Sequence, residues 1–341
     1  MLNRLFGIAL AAAVAFGSSA MADTRITGSG ASFPFPLYSA WFKDFSKKTQ
    51  GVTVDYQSKG SGAGIQDLIN NVVDFAASDA AMKDEDIAKV KQGVVLLPMT
   101  AGEIVLAYNL PGVKELKLPR DVYSDIFLGK ITKWDDPRIA AANPGAKLPS
   151  TPITVVVRSD SSGTTFNFTS HLSAISESFK AGPGAGTSVQ WPSSDKVVKA
   201  PKNDGVTATI LQTPGAIGYV EFGYAKLTGA SMATLENKDG KFVAPGGEGG
   251  AAALASAKFD DHMRAFITDP EGEGAYPIST FTWMLFYESG QDAAKVEALK
   301  AMVEYGLTTG QGMAEELGYI PLPESVIEKV REAAKQIGAG A

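Results

Sequence analysis

Residues 52–79 read VTVDYQSKGSGAGIQDLINNVVDFAASD. Val52 to Tyr56 is a short run rich in β-branched residues, the pattern of a strand. Gly60-Ser61-Gly62-Ala63-Gly64 breaks it and turns into a helix carrying Ile65, Leu68 and Ile69. Val72 to Ala77 returns as a second strand that ends at Ser78-Asp79. Strand, helix and strand joined by short turns predict a mostly parallel sheet with helices on its faces. In such sheets ligands sit beyond the carboxyl ends of the strands, which directs attention to the Gly/Ser turns.

The same alternation extends outward. Upstream, Thr24 to Thr27 starts a strand that Gly28-Ser29-Gly30 breaks, and Leu37, Trp41, Phe42 and Phe45 recur at helical spacing. Downstream, Lys83 to Lys91 reads as helix, and Val94 to Leu97 and Glu103 to Tyr108 as two strands. Ile153 to Val157 is another β-branched strand, followed by a polar turn and a helix with Phe166, Phe168 and Leu172. Asn203 to Leu211 reads as helix and Gly215 to Val220 as a turn and strand. Val296 to Tyr305 and Glu324 to Ala334 are amphipathic helices near the C-terminus. Trp134 and Trp283 read as core aromatics, and His171 as a structural helix position.

Composition narrows the function classes. With 45% apolar and 20% charged residues in 341, the chain can bury a core and is long enough for two domains. Residues 1–22 read as a cleavable signal peptide: Arg4, an apolar run from Leu5 to Phe16, and Ala20-Met21-Ala22 as a cleavage site. The mature chain is expected to begin near Asp23, in the periplasm. The net charge is −6 and becomes more negative without Arg4, which argues against a nucleic-acid partner. Any anion must then be held by local geometry and not by the global field. Cysteine is absent, which excludes thiol chemistry, thiolate metal sites and a lipid anchor on an N-terminal Cys. Two histidines are too few for a His-rich metal site.

Three turns after strands share one character: residues 28–33 (GSGASF), 60–64 (GSGAG) and 160–164 (DSSGT). Helix N-termini offer unpaired N–H groups and the positive end of the dipole. Small residues let an oxyanion approach that backbone, and hydroxyls add donors. Taken singly, each turn also suits ordinary helix capping. None ends in the Gly-Lys-Ser/Thr of nucleotide hydrolases, and Phe33 occupies the third glycine position of the dinucleotide fingerprint. Arg158, just before the third turn, carries a planar fork suited to two oxygens of one anion, and Asp160 is placed to orient it.

Five segments in this order carry a resemblance: Gly28-Ser-Gly-Ala-Ser-Phe-Pro34, Asp74-Phe-Ala-Ala-Ser-Asp79, Leu128-Gly-Lys-Ile-Thr-Lys-Trp134, Arg158-Ser-Asp-Ser-Ser-Gly-Thr-Thr165 and Pro214-Gly-Ala-Ile-Gly-Tyr219. Together they closely resemble the PstS-type periplasmic phosphate-binding proteins, from about Ile26 to about Ala334. The resemblance implies an α/β, two-lobed periplasmic binding protein fold of type II, with hinge strands and an interlobe ligand cleft. Lobe I is expected over residues 23–99 and 272–341, and lobe II over residues 100–271. The implied phosphate-binding residues are Ser32, the Phe33 N–H, Ser61, Ser162, Gly163, Thr164 and Arg158. Asp160 would hold the guanidinium and Asp79 would be the acceptor. The chain departs from the family pattern at Ser161, where a Gly is expected, and at Ala63. The implied role is phosphate delivery, by a monomer without cofactor, metal or catalysis, to the permease subunits of an ABC importer with a cytoplasmic ATPase.

Asp79 is the residue expected to choose among oxyanions. Phosphate near neutral pH keeps a proton and sulfate has none. A carboxylate acceptor rewards the anion with a proton to give and leaves sulfate facing an unpaired charge. Two other readings compete: a secreted phosphatase with a Ser nucleophile, and a binder of sulfate or molybdate.

Overall fold

The computed structural model describes residues 23–246 and 248–340. The signal peptide expected over residues 1–22 lies outside the described residues. Twelve strands are present among them: β1 (Thr24–Gly30), β2 (Val52–Ser58), β3 (Phe75–Ser78), β4 (Val94–Tyr108), β5 (Lys117–Leu118), β6 (Thr154–Arg158), β7 (Val197–Ala200), β8 (Ala216–Glu221), β9 (Ser231–Met232), β10 (Thr234–Glu236), β11 (Phe242–Val243) and β12 (Ser279–Tyr287). Nine form one continuous sheet in the order β2-β1-β3-β12-β4-β8-β6-β7, with β9 on the edge of β4. A small sheet β11-β10-β5 lies apart.

β4 is where the two lobes join. Its first part, Val94 to Glu103, pairs antiparallel with β12, from Val94–Tyr287 to Glu103–Ser279. Its second part, Ile104 to Tyr108, pairs antiparallel with β8. One strand therefore belongs to two half-sheets, and every residue in it is buried. The two separate strands expected at 94–97 and 103–108 are thus a single one. Pro98 supplies no N–H to the ladder, and the pairing absorbs it at an irregularity between Thr282 and Trp283 without ending the strand.

Each half-sheet has the parallel βαβ character expected. β1 pairs parallel with β2 and β3, and β6 with β7 and β8. The helices Phe35–Lys48 and Ser61–Ile69 follow β1 and β2, and Gly163–Ile175 and Lys202–Gln212 follow β6 and β7. Separate aromatic clusters sit behind them. Tyr38, Phe42, Tyr56, Phe75 and Phe286 interlock in one lobe. Phe127, Phe168, Trp191 and Tyr219 interlock in the other. Trp134 and Trp283 are buried as expected, each donating its indole N–H to a carbonyl, of Gly215 and Met263. The helix expected over Lys83 to Lys91 shrinks to Asp84–Ile87, a segment with no buried residue to anchor a longer one.

The architecture places the carboxyl ends of β1 and β3 opposite those of β6 and β7. The turns at 28–33 and 160–164 follow β1 and β6, and the turn at 60–64 follows β2, the neighbour of β1.

Candidate functional site

The first turn is forced by packing. Gly30 has φ 140°, and a Cβ there would lie 2.1 Å from the Ala77 carbonyl oxygen. The chain leaves β1 tightly, and Ala31 N–H donates to that same oxygen. Ser32 and Phe33 follow, buried, ahead of the helix Phe35–Lys48. Both carbonyls are tied back, Ser32 O by the Tyr224 hydroxyl and Phe33 O by the Tyr319 hydroxyl. Among the described residues no protein group accepts from the Phe33 N–H.

The second turn sets Ser61 at the start of its helix. Its Oγ accepts from the N–H of Asp79 at 3.2 Å and of Gly163 at 3.1 Å, and it donates to Asp79 Oδ2 at 3.3 Å. In the third turn Ser162 caps its own helix, accepting from Thr165 N–H, and its own N–H goes to the Thr187 carbonyl. The Thr164 N–H in the first turn of that helix has no acceptor among the described residues. Buried, unpaired N–H groups at two helix starts are the local requirement for holding an anion.

Arg158 ends β6 with its side chain 1% exposed. Its Nε and Nη2 meet Asp160 Oδ1 and Oδ2, and Nη1 donates to Thr164 Oγ1 at 3.2 Å. Burial pushes the Asp160 carboxyl up, but the hydrogen bonds and charge of Arg158 outweigh it and hold it below the usual range. Among the described residues, Arg158 is the one cationic side chain touching these groups. Asp79 is different. Burial pushes its carboxyl up to about 7, against the hydrogen bond from Thr282, the charge of Arg158 and the hydrogen bond from Ser61.

The structure thus brings together every residue singled out in the sequence: Ser32, Phe33, Ser61, Asp79, Arg158, Asp160, Ser162, Gly163 and Thr164. The seam between the lobes is closed over them. Gly62 N–H donates to the Ser161 carbonyl at 3.1 Å, and Asn167 Nδ2 donates to the Asp79 carbonyl at 2.7 Å. A cavity of about 920 Å³ opens outside this seam, lined by Gly62, Met82, Ser161 and Arg264, and none of Ser32, Asp79, Arg158 or Thr164 reaches it. His171 stands apart, its Nε2 paired with the Tyr123 hydroxyl at 2.7 Å, and burial pushes its pKa down to about 4.

Two site residues escaped the sequence reading. Asn203, at the start of the helix Lys202–Gln212, donates its backbone N–H and its Nδ2 to Ser32 Oγ at 3.1 and 3.0 Å. The same Nδ2 reaches Thr164 Oγ1 at 3.2 Å. Thr282 on β12 donates its hydroxyl to Asp79 Oδ1 at 2.9 Å. Asn203 carried no signal beyond its place at a predicted helix start. Thr282 is a polar residue in the otherwise apolar run that begins at Phe281, which could have flagged it.

The chemistry follows from lone-pair accounting. A hydroxyl has one proton and two acceptor positions. Ser32 Oγ, Ser61 Oγ and Thr164 Oγ1 each already accept two N–H groups. Ser32 and Thr164 are left with only a proton to give, while Ser61 gives its own to Asp79 Oδ2. Neutral donors, the Arg158 guanidinium with its Asp160 partner, and the Asp79 carboxyl are gathered at the seam between the lobes.

Comparison with known proteins gives one family. A PBP superfamily domain model matches residues 17–305. The phosphate-binding protein PstS of Pasteurella multocida is 41% identical over 320 residues, covering 93% of this chain and 91% of its own. That of Haemophilus influenzae is 39% identical over 314 residues, covering 91% and 92%. Among solved structures, a phosphate-bound periplasmic phosphate-binding protein (PfluDING) has a TM-score of 0.76 at 22% identity, covering 92% of this chain and 99% of that one. A phosphate-binding protein from Stenotrophomonas maltophilia has a TM-score of 0.73 at 20% identity, with coverage of 92% and 99%. At these identities the structures speak for the fold alone.

Proposed function

The chain belongs to the PBP superfamily and, within it, to the PstS family of phosphate-binding proteins, and from that premise we propose that it captures inorganic phosphate between its lobes for an ABC importer. The observation that carries this reading is the donor set with one acceptor in it. Ser32 and Thr164 offer protons, the Phe33 and Thr164 N–H groups have no acceptor among the described residues, and Arg158 supplies the positive charge. The protonated oxygen of phosphate gives its hydrogen bond to Asp79. Ser162 and Gly163 close the third side at the helix start, and Asp160 keeps the guanidinium in plane.

Lobe I is assigned to residues 23–99 and 272–341 and lobe II to residues 100–271. The change of partner along β4, from β12 to β8, supports a boundary there. Closure about this hinge encloses the anion. The permease subunits, driven by a cytoplasmic ATPase, receive the phosphate from a monomer in the periplasm, exported by the leader at residues 1–22. No helix among the described residues is long and apolar enough to cross a membrane.

The chain delivers its ligand unchanged. The phosphatase reading needs a base beside a Ser nucleophile, and His171 is paired with Tyr123 and not with any site hydroxyl. Calorimetric titration at neutral pH tests the proposal. Tight binding of phosphate with at least about 100-fold weaker sulfate binding is expected. Equal binding of the two anions, or hydrolysis of a phosphomonoester, would overturn it.

A further inference from the structure

We infer that Asn203 is a positioning residue that fixes the hydroxyl protons of Ser32 and Thr164 toward the anion, and that it reaches Ser32 only when the two lobes are closed. The inference rests on the phosphate-binding reading and adds to it the device that sets the direction of two of its donors.

Asn203 is fully buried between the lobes. Its amide cannot be turned over, because Oδ1 accepts from the Glu221 N–H at 3.0 Å. Flipping would set two N–H groups against each other there. Nδ2 must therefore point at Ser32 Oγ and Thr164 Oγ1. The backbone N–H of Asn203 adds a second donor to Ser32. Arg158 Nη1 adds the second to Thr164. With both lone pairs of each hydroxyl filled, neither can accept a hydrogen bond from the ligand. The protonated oxygen of phosphate has no acceptor on this side and is directed to Asp79.

The backbone around Asn203 is held for this purpose. Lys202 has φ 58°, a left-handed conformation that a non-glycine residue seldom adopts. Its N–H is tied to Asp160 Oδ1 at 2.9 Å, the carboxylate oxygen that also holds Arg158 Nε. Asp160 therefore keeps the guanidinium and the start of the Asn203 helix in one register. Ser32 comes from the β1 half-sheet, while Asn203 and Thr164 come from the β6 half-sheet. The Ser32 lone pairs are filled only when these halves meet, so closure itself turns the Ser32 proton toward the ligand.

A double-mutant cycle on the whole protein tests this, with inorganic phosphate as the titrant. Asn203→Ala is expected to weaken phosphate binding about 5- to 150-fold, as removal of polar partners from a buried charged site does. The decisive measurement repeats Asn203→Ala in a Ser32→Ala, Thr164→Val background. There its effect should shrink to less than about twofold, since the hydroxyls it orients are gone. The orphaned Glu221 N–H costs stability equally in both backgrounds and cancels. Equal losses in both backgrounds would show a merely structural role and overturn the inference, as would no loss in either. If Asn203→Ala does not fold, the near-isosteric and uncharged Asn203→Leu replaces it in the same cycle and is read the same way. Wild-type protein that ignores phosphate overturns the functional reading itself, whereas phosphate-binding wild type with an unaffected Asn203→Ala overturns only this inference.

Discussion

Thr282 Oγ1 donates to Asp79 Oδ1 at 2.9 Å from a strand 203 residues further along the chain. The bond stabilises the charged form of a carboxylate that burial drives toward the neutral one. A hydroxyl on β12 thus helps keep Asp79, the proposed acceptor, ionised. Ser61 holds the other oxygen at 3.3 Å.

Thr282→Val is expected to push the Asp79 pKa further up and to weaken phosphate binding about tenfold at pH 7. Affinity should partly recover at pH 8.5, where Asp79 ionises again, and Thr282→Ser should restore it. Titrations at the two pH values decide it; a loss that does not depend on pH would count against the role given to Thr282.

Asp79→Asn turns an acceptor into a group that also donates. Sulfate, which has no proton to give, then meets no unpaired charge. The preference for phosphate over sulfate should fall at least about 100-fold, mostly through a gain in sulfate affinity. Competition between the two anions measured by calorimetry reads this directly, and an unchanged ratio would contradict it.

Asp79 and Glu103 should each take stability away as pH rises from about 4 to about 7, against the opposite contribution of His171, which is held down to about 4. Burial raises Asp79 from an ordinary 3.8 to about 7 and Glu103 from 4.5 to about 7. In that window the folded protein keeps protons that the unfolded chain has released, so raising the pH favours unfolding. Asp79→Asn removes one of the buried carboxyls whose pKa burial raises, a set that also includes Glu103 and Glu221. It should flatten the curve and be more stable than wild type at pH 8 by on the order of 2 kcal/mol. Urea midpoints at pH 5 and pH 8 without phosphate provide the measurement, and parallel curves for the two proteins would refute it.

Gly163→Ala should hold the lobes apart. A Cβ there would sit 2.6 Å from Ser61 Oγ and 2.7 Å from both Ala80 N and Asp79 Oδ2. These are groups of the opposite lobe at the centre of the site, and overpacking there costs about 1–3 kcal/mol. Phosphate affinity is expected to drop about tenfold or more, and the radius of gyration in X-ray scattering should no longer contract when phosphate is added. Contraction equal to wild type would rule the clash out.

The turns at 28–33, 60–64 and 160–164 were legible because their chemistry is local. A Gly/Ser stretch after a β-branched run and before a helical apolar pattern has few conformations open to it, and its N–H groups have nowhere to go within the chain. The βαβ alternation was legible for the same reason, and so was Arg158 with its partner two residues away.

Distance in sequence hid the rest. Val94 to Leu97 and Glu103 to Tyr108 looked like two strands because Pro98 and Gly102 lie between them. Only pairing with β12 on one part and β8 on the other makes them one hinge strand. Thr282 and Asn203 were silent for a similar reason, as a lone Thr in a strand or Asn at a helix start acquires a role only from what the fold sets against it. The sequence by itself determined which groups could donate and which single carboxylate could accept. The tertiary structure alone decided that the lone pairs of Ser32, Ser61 and Thr164 are filled and that Asp79 is stripped of water. The filling at Ser32 and Ser61 and the burial of Asp79 depend on contacts across the two lobes, that at Thr164 on contacts within one, and neither lone-pair occupancy nor desolvation is a property of a residue until its neighbours in space are fixed.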